Sequence, residues 1–503
     1  MAVASHPETP LIAANGRLLM QRIDALPDSE RAFVHLYGES ANAFWLDSSA
    51  AGERGRFSFI GDSEGPLAAV VTYDVETGQV RVERGGAVAT HDESIFDYLD
   101  RELRALRLLS TDLPFDFDCG FAGYLGYELK ADCGGDAAHR AATPDAAFVF
   151  ADRLIAFDHE ECCAYLVCLA ASGEEREAEG WIEEAGMRLG SLPPLADGEI
   201  DAAPVDLRLR RSTQRYREDV AACTDYLTAG DSYEICLTNR VVADVASDPL
   251  QLYRALRRVN PAPFAAYLRF GDLAVLSSSP ERFIAVDREG RAEARPIKGT
   301  SRRSPDPAED ARLAADLAAD EKSRAENVTI VDLLRNDLGR VCEVGSVEVP
   351  ELMRVETYET VHQLVSSVRG RLRDGVGPAE CVRACFPPGS MTGAPKLRTM
   401  EIIDELEGEA RGVYSGAVGY FGLGGGCDLS VAIRTIVLDG QAATIGAGGA
   451  IVVQSDPDEE LAEMLLKARA PIAALGPGAS ISSGSAAALE HPARRPPSPT
   501  PTS

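Results

Sequence analysis

Long apolar runs are missing from this sequence. No stretch of its 503 residues reaches the roughly 18 uncharged apolar positions that a membrane-spanning helix needs. That excludes a helical membrane protein, and no membrane partner is expected. Met1 to Asn15 lack the basic-then-apolar order of a signal peptide and carry His6, Glu8 and two prolines instead; no targeting segment and a cytoplasmic location are expected. Positive charge is scarce. Lys and Arg number 50 against 79 Asp and Glu, a net charge of −29, and so acidic a surface repels nucleic acid and anionic lipid. The 11 cysteines form no CxxC pair, and none joins histidine at zinc-ligand spacing, which removes zinc sites and thioredoxin-like motifs. Cys168 in AYLVCLA and Cys236 in YEICLTN lie in apolar runs and read as buried reduced thiols. No internal repeat is present. The spacings GxxxxGK[ST] and GxGxxG are both absent, which excludes the common nucleotide-binding loops.

What is present is ordinary globular material. Hydrophobic residues make up 45% of the chain, enough for a large core. Two low-complexity stretches punctuate it. Residues 190–204 (GSLPPLADGEIDAAP) read as a linker between an N-terminal region, 16–189, and a C-terminal region, 209–475. Residues 476–503, ending in RRPPSPTPTS, read as a disordered tail. The N-terminal region is rich in strand patterns, such as FSFIGD and AFVFADRLIAFDH, and GFAGYLGYELK suggests strands packed closely through glycine. In the C-terminal region Ser212 caps a predicted helix that Gly230 stops. Helices are expected over about 307–338, after Pro395, and over about 458–470, where Pro471 would end the last one. VYSGAVGYFGL, DLSVAIRTIVL and AATIGAGGAIVV read as three strands, and EARPIKGT as another. Antiparallel runs followed by helices define an α+β class.

Single residues in this pattern carry weak signals. Glu460, Glu463 and Lys467 share one face of the last predicted helix, which taken alone reads as a solvated face with an i,i+4 pair. Glu326 lies on another helix, and two carboxylates from different helices can converge on Mg²⁺, which takes one or two carboxylates, water and ligand oxygens. FPPGSMTGAPK (386–396) is either a plain loop or an anion-facing helix start with Lys396 beside it. Arg434, inside an apolar strand pattern, needs either a protein carboxylate or a substrate carboxylate as partner. Gly446, Gly448 and Gly449 mark a place where backbone can approach a ligand. Lys298 and Glu281, each beside a turn signal, read alone as solvated.

In order along the chain these signals reinforce each other. SSSPERF, RPIKGT, RAENVTIVDLLRNDLGRV, HQLVSSVRGRL, FPPGSMTGAPKLRTMEIIDELE, VYSGAVGYFG, AIRTIV, GAGGAIV and a terminal EExxExxxKAR helix follow one another. The series closely resembles the chorismate-utilising family, which contains anthranilate synthase component I, aminodeoxychorismate synthase component I and the isochorismate and salicylate synthases. The resemblance covers about 210–472. It extends more weakly over the N-terminal region through AFWLDSS, GRFSFIGD and GYLGYE. It implies an anthranilate synthase component I-like fold, an antiparallel β-sandwich core flanked by helices, with both regions in one body.

The resemblance also implies roles. Glu326 and Glu463 would hold Mg²⁺ against the ring carboxylate of chorismate, with Glu460 in support. Arg434, Tyr414 and the backbone of Gly448, Gly449 and Ala450 would hold the enolpyruvyl carboxylate. Lys467 would add positive charge, and Thr300 would join the substrate-binding set. Glu281 would act as general acid on the departing 4-hydroxyl. Lys298 marks the branch: anthranilate synthases usually read PIAGT there, and the aminodeoxychorismate synthase branch reads PIKGT. Such a lysine attacks ring carbon 2, ammonia then attacks carbon 4, and a setting that lowers the lysine's pKa is expected. Three positions depart from common family patterns: Gln363 for His, Glu234 for Gln or Lys, and Ala450 for Gly. Nothing in the sequence resembles a class I glutamine amidotransferase, so ammonia is expected from a glutamine amidotransferase partner. The alternatives are anthranilate synthase component I and a catalytically silent chorismate-binding subunit.

Overall fold

The computed structural model describes residues 16–49, 55–106, 112–195, 205–358, 361–476 and 478–481. Among them, strands assemble into sheets of 13 and 12. The first runs from Arg17–Ile23 through Cys163–Ala170, Arg153–Asp158, Phe57–Asp62, Asn42–Asp47 and Phe264–Phe270. It continues through Leu273–Ser279, Thr435–Asp439 and Ala442–Ile451 to Glu234–Asp244 and Asp206–Leu209. The second runs from Ile297–Arg302 through Val361–Arg371, Arg291–Ala294, Arg282–Val286, Cys427–Val431 and Ala417–Gly422. It continues through Gly120–Leu125 and Ala146–Ala151 to the hairpin strands Ala69–Asp74, Gln79–Arg84 and Ala87–His91. Both sheets take strands from both sides of residues 190–204. The α+β architecture with two antiparallel sheets and flanking helices agrees with the expected class.

The sheets meet through aromatic side chains. Phe59 of the first lies 5.7 Å from Tyr420 of the second, ring to ring, and Tyr124 of the second lies 6.0 Å from Phe270 of the first. A second apolar layer covers the other face of the first sheet. There Trp45, Leu237 and Ile436 pack with the helical residues Phe33, Tyr216, Leu252 and Met464. Each such burial contributes about 1.5–3 kcal/mol. Glycine permits close strand approach: a Cβ on Gly123 would stand 2.0 Å from the Ala147 carbonyl oxygen.

The helix Thr213–Ala229 has the expected ends, with Ser212 accepting from the Arg215 N–H and Gly230 at φ 82°. Three expected elements need correction. DLSVAIRTIVL is two strands, Cys427–Val431 and Thr435–Asp439, in different sheets; the chain crosses between them at Ala432–Arg434, where Arg434 takes φ 54°. EARPIKGT is also two strands, interrupted at Arg295-Pro296, where proline offers no N–H. The last helix, Pro457–Ala474, runs through Pro471 instead of ending there. Segment 476–503 lies almost wholly outside the described residues, but Ser480–Ile481 form a short strand parallel to Asp206–Leu209. The proposed linker begins anchored: Arg31 donates to the Pro193 carbonyl at 3.1 Å. Residues 196–204 lie outside the described set.

Candidate active site

A cavity of about 2490 Å³ opens among the second sheet's edge, the 442–451 and 234–244 strands, and the helices Glu321–Gly339 and Pro457–Ala474. It exceeds the ~300–1,000 Å³ usual for one small ligand, leaving room for substrate, water and an approach path. The chain has only five lysines, and three of them, Lys298, Lys322 and Lys467, line this cavity together with Arg434. Most of the chain's few ammonium groups thus face one cavity.

Lys298 is aimed inward by local backbone geometry. The pairing of Ile297–Arg302 with Val361–Arg371 shifts register between Ile297 and Thr300, a β-bulge. Gly299 holds φ 84° inside it, and a Cβ there would stand 2.5 Å from Ser323 Oγ. Bulges of this kind re-aim one side chain beside an active site. The Lys298 ammonium is buried and donates to Glu234 Oε1 at 2.5 Å. This reverses the expectation of a depressed lysine pKa. Burial does favour the neutral amine, but the Glu234 and Glu326 carboxylates outweigh it and hold Lys298 well above its ordinary value. Glu234 Oε2 has no hydrogen-bond partner among the described residues. Glu281, also buried, has its carboxyl pushed up to about 7 by desolvation, which outweighs a hydrogen bond from Ser390 and the charge of Lys298. It keeps a proton near neutral pH, as a general acid requires.

The two expected metal-holding carboxylates come from different helices onto the same wall. Burial, with help from Glu234 and Glu463, pushes Glu326 up to about 7. Burial also opposes ionisation of Glu463, but Lys467, 2.7 Å from its Oε1, outweighs that and holds it below the ordinary carboxylate range. Glu460 stands behind this wall, fully buried. Its Oε1 accepts from Lys322 Nζ at 2.7 Å and from Ser455 Oγ at 2.6 Å, and its Oε2 has no hydrogen-bond partner among the described residues. A Cβ on Gly449 would lie 3.0 Å from Glu460 Oε2 and 3.4 Å from Glu463 Oε1. Among the described residues no three His, Cys, Asp or Glu side chains form a complete metal cage. Two acids beside an unpaired buried carboxylate oxygen fit a hard cation whose shell is finished by water and ligand oxygens.

The rest of the expected set also lines the cavity. Arg434 forms no ion pair among the described residues; Nη1 donates to the Lys467 carbonyl at 3.1 Å, and burial lowers its pKa. Of the two readings of Arg434, a guanidinium left for a ligand carboxylate is the one the geometry favours. The Tyr414 ring stands where a Cβ on Gly446 would fall, 2.2 Å away, and burial keeps its phenol neutral. Gly448, Gly449 and Ala450 belong to the regular strand Ala442–Ile451 and not to a turn. Ala450 therefore needs no special φ. Lys467 Nζ donates to the Gly448 carbonyl at 2.9 Å. Thr300 is exposed at the cavity rim and pairs in register with Gln363, which lines the same wall.

Pro471 explains part of this arrangement. Without an N–H it cannot bond the Lys467 carbonyl, its partner one turn earlier. Arg434 takes that carbonyl instead. Pro471→Ala returns a competing helix donor, so melting temperature should rise by a few degrees. Substrate KM should rise about threefold to tenfold, one hydrogen bond's worth, with kcat less affected. Melting curves and steady-state kinetics measure both, and an unchanged KM would leave Pro471 without influence on Arg434.

Two site residues escaped recognition from sequence. Glu234 stood out only as a departure from the family pattern, and its partner Lys298 is 64 positions away. Lys322 had one available signal, its i,i+4 spacing to Glu326. Conversely, Lys396 is no anion ligand: it pairs with Asp337 at 2.7 Å and donates to the Cys385 and Pro387 carbonyls. Segment 386–396 is thus chiefly structural and places only Ser390 and Met391 on the cavity wall.

The cavity thus gathers cations and carboxylates from the residues that the sequence singled out, within an α+β fold of two antiparallel sheets. Residues 42–473 match the chorismate binding enzyme family, and the chain belongs to it. It is 52% identical over 471 residues to an aminodeoxychorismate synthase of Streptomyces pristinaespiralis, and 49% identical over 469 residues to one of Streptomyces griseus. These matches cover 91% and 92% of this chain, while the chain spans 65% of the length of each relative. Anthranilate synthase component 1 of Streptomyces coelicolor is 38% identical, with 88% of this chain and 86% of that protein covered. The solved structure of anthranilate synthase component I from Streptococcus pneumoniae superposes with a TM-score of 0.71 at 31% identity, covering 84% of this chain and 93% of that one. No helix among the described residues is long and apolar enough to cross a membrane.

Proposed function

We propose that this chain aminates chorismate to 4-amino-4-deoxychorismate, using ammonia and releasing water. The observation that carries the reading is Lys298, turned into the cavity by a glycine bulge and seated against Glu234, in a site that also holds Glu281. The two Streptomyces aminodeoxychorismate synthases support the same branch, and PIKGT disfavours the anthranilate alternative.

The residues divide the work by position. Arg434 and Tyr414, with backbone of Gly448 to Ala450, hold one substrate carboxylate, and Lys467 adds charge beside the other. Glu326 and Glu463 would hold Mg²⁺, which supplies charge neutralisation at a substrate carboxylate. Glu234 is the base within reach of the Lys298 proton. The freed amine adds to ring carbon 2, both ring double bonds shift along the ring, and the 4-hydroxyl leaves as water on the proton from Glu281. Ammonia then adds to carbon 4, both double bonds shift back and Lys298 leaves, recovering its proton. Ammonia comes from a glutamine amidotransferase partner.

Incubation of the protein with chorismate, Mg²⁺ and ammonium, with chromatography of the product, tests this. The expected product is 4-amino-4-deoxychorismate and not anthranilate. Glutamine should replace ammonium only when a glutaminase is added. Anthranilate as the main product would overturn the reading, and turnover on glutamine by the chain alone would remove the separate partner.

A further inference from the structure

The geometry points to Lys322 as a resident counter-cation that keeps divalent-cation affinity low in the free protein and couples metal binding to arrival of the anionic substrate. This inference rests on the reading of Glu326 and Glu463 as the Mg²⁺-holding pair. Lys322 lies in the first turn of the helix Glu321–Gly339, one turn before Glu326. Its ammonium donates to Glu460 Oε1 at 2.7 Å and stands 4.0 Å from Glu326 Oε1. It therefore bridges the carboxylate on the wall and the one behind it. Glu460 is 1% exposed, and its second oxygen, with no hydrogen-bond partner among the described residues, lies toward Gly449 and Glu463.

A divalent ion entering between Glu326 and Glu463 would meet the Lys322 charge at close range. Like-charge repulsion opposes that entry, screened in part by water because the Lys322 and Glu463 side chains are 37% and 43% exposed. A substrate carboxylate arriving with the ion brings the missing negative charge and offsets the repulsion. Substrate and metal must then strengthen each other's binding by the same factor. Lys467 is engaged elsewhere: it pairs with Glu463 and donates to the Gly448 carbonyl.

Titration calorimetry with MgCl₂ on the whole chain, with and without chorismate, tests the inference. Lys322→Met removes the charge. Lys322→Gln removes it but keeps a donor for Glu460, which guards against misfolding from an unpaired buried carboxylate, and Lys322→Arg keeps the charge. Without chorismate, the Met and Gln variants should bind Mg²⁺ about tenfold more tightly than wild type, and the Arg variant should match it. The gain in Mg²⁺ affinity on adding chorismate should shrink in the two neutral variants. Equal or weaker Mg²⁺ binding by both neutral variants, alongside saturable binding by wild type, overturns the role of Lys322. Absence of saturable binding in every protein, with chorismate present, overturns the metal reading and this inference with it.

Discussion

Lys298→Ala is expected to lower amination at carbon 4 by about three orders of magnitude or more, the scale of losing a nucleophile, while the protein still folds. The fold should survive because Lys298 sits at a bulge and its loss leaves the strand pairing in place. The substitution also restores the anthranilate-type motif, so residual turnover should shift toward addition of ammonia at carbon 2. Lys298→Arg separates two accounts. A guanidinium satisfies Glu234 electrostatically but stays protonated and is a poor nucleophile, so it should not rescue. If Lys298 acted only through its charge, the Arg variant would retain substantial activity. Intact-mass measurement gives the direct readout. Wild-type protein incubated with chorismate and Mg²⁺ but without ammonium should gain an adduct that maps to Lys298. No adduct, together with a near-wild-type Arg variant, would end the covalent account and leave the family assignment standing.

The pairing with Glu234 changes what the proposed nucleophile would require. A desolvated lysine alone would be neutral and ready. This one rests as an ion pair, so its activation as a nucleophile would be a proton transfer across 2.5 Å to a buried carboxylate. The sequence could not express this, because nothing in YEICLTN or RPIKGT indicates that the strands Glu234–Asp244 and Ile297–Arg302, from different sheets, bring these two side chains together. Motif order was legible, and it identified Lys298, Glu281, Glu326, Glu463, Arg434 and Lys467, all of which line one cavity. Local signals also worked where they were short-range: Ser212 and Gly230 bound their helix as expected. Period-based reading failed where tertiary contacts overrule it. The apolar run around Arg434 looks like one strand because both of its halves are buried, though in different sheets. Pro471 looks like a helix stop because the Arg434 bond that satisfies the freed Lys467 carbonyl comes from 33 residues away in sequence, at the sheet crossing.

Glu281 is expected to give the reaction its alkaline limb. Only the protonated carboxyl can donate to the departing 4-hydroxyl, and desolvation holds its pKa at about 7. The rate should therefore be flat below about pH 6.5 as far as this group is concerned, and fall tenfold per unit well above 7. Glu281→Gln keeps the shape and removes the proton; kcat should drop by about a hundred- to ten-thousandfold, and the alkaline limb should disappear. Stability should move the other way. The folded protein binds the Glu281 proton more tightly than the unfolded chain, whose carboxyl titrates near 4.5. Between about pH 4.5 and 7 the native state retains a proton that the unfolded state has lost, so this group's contribution to stability falls as pH rises through that window and stays reduced above it. Glu281→Gln has no such penalty and should melt higher than wild type at pH 8, with the difference shrinking toward pH 5. Kinetics and melting curves across pH 5–9 measure both effects on the same two proteins. An alkaline limb that persists in Glu281→Gln would assign the acid to another group, even if the variant were slow.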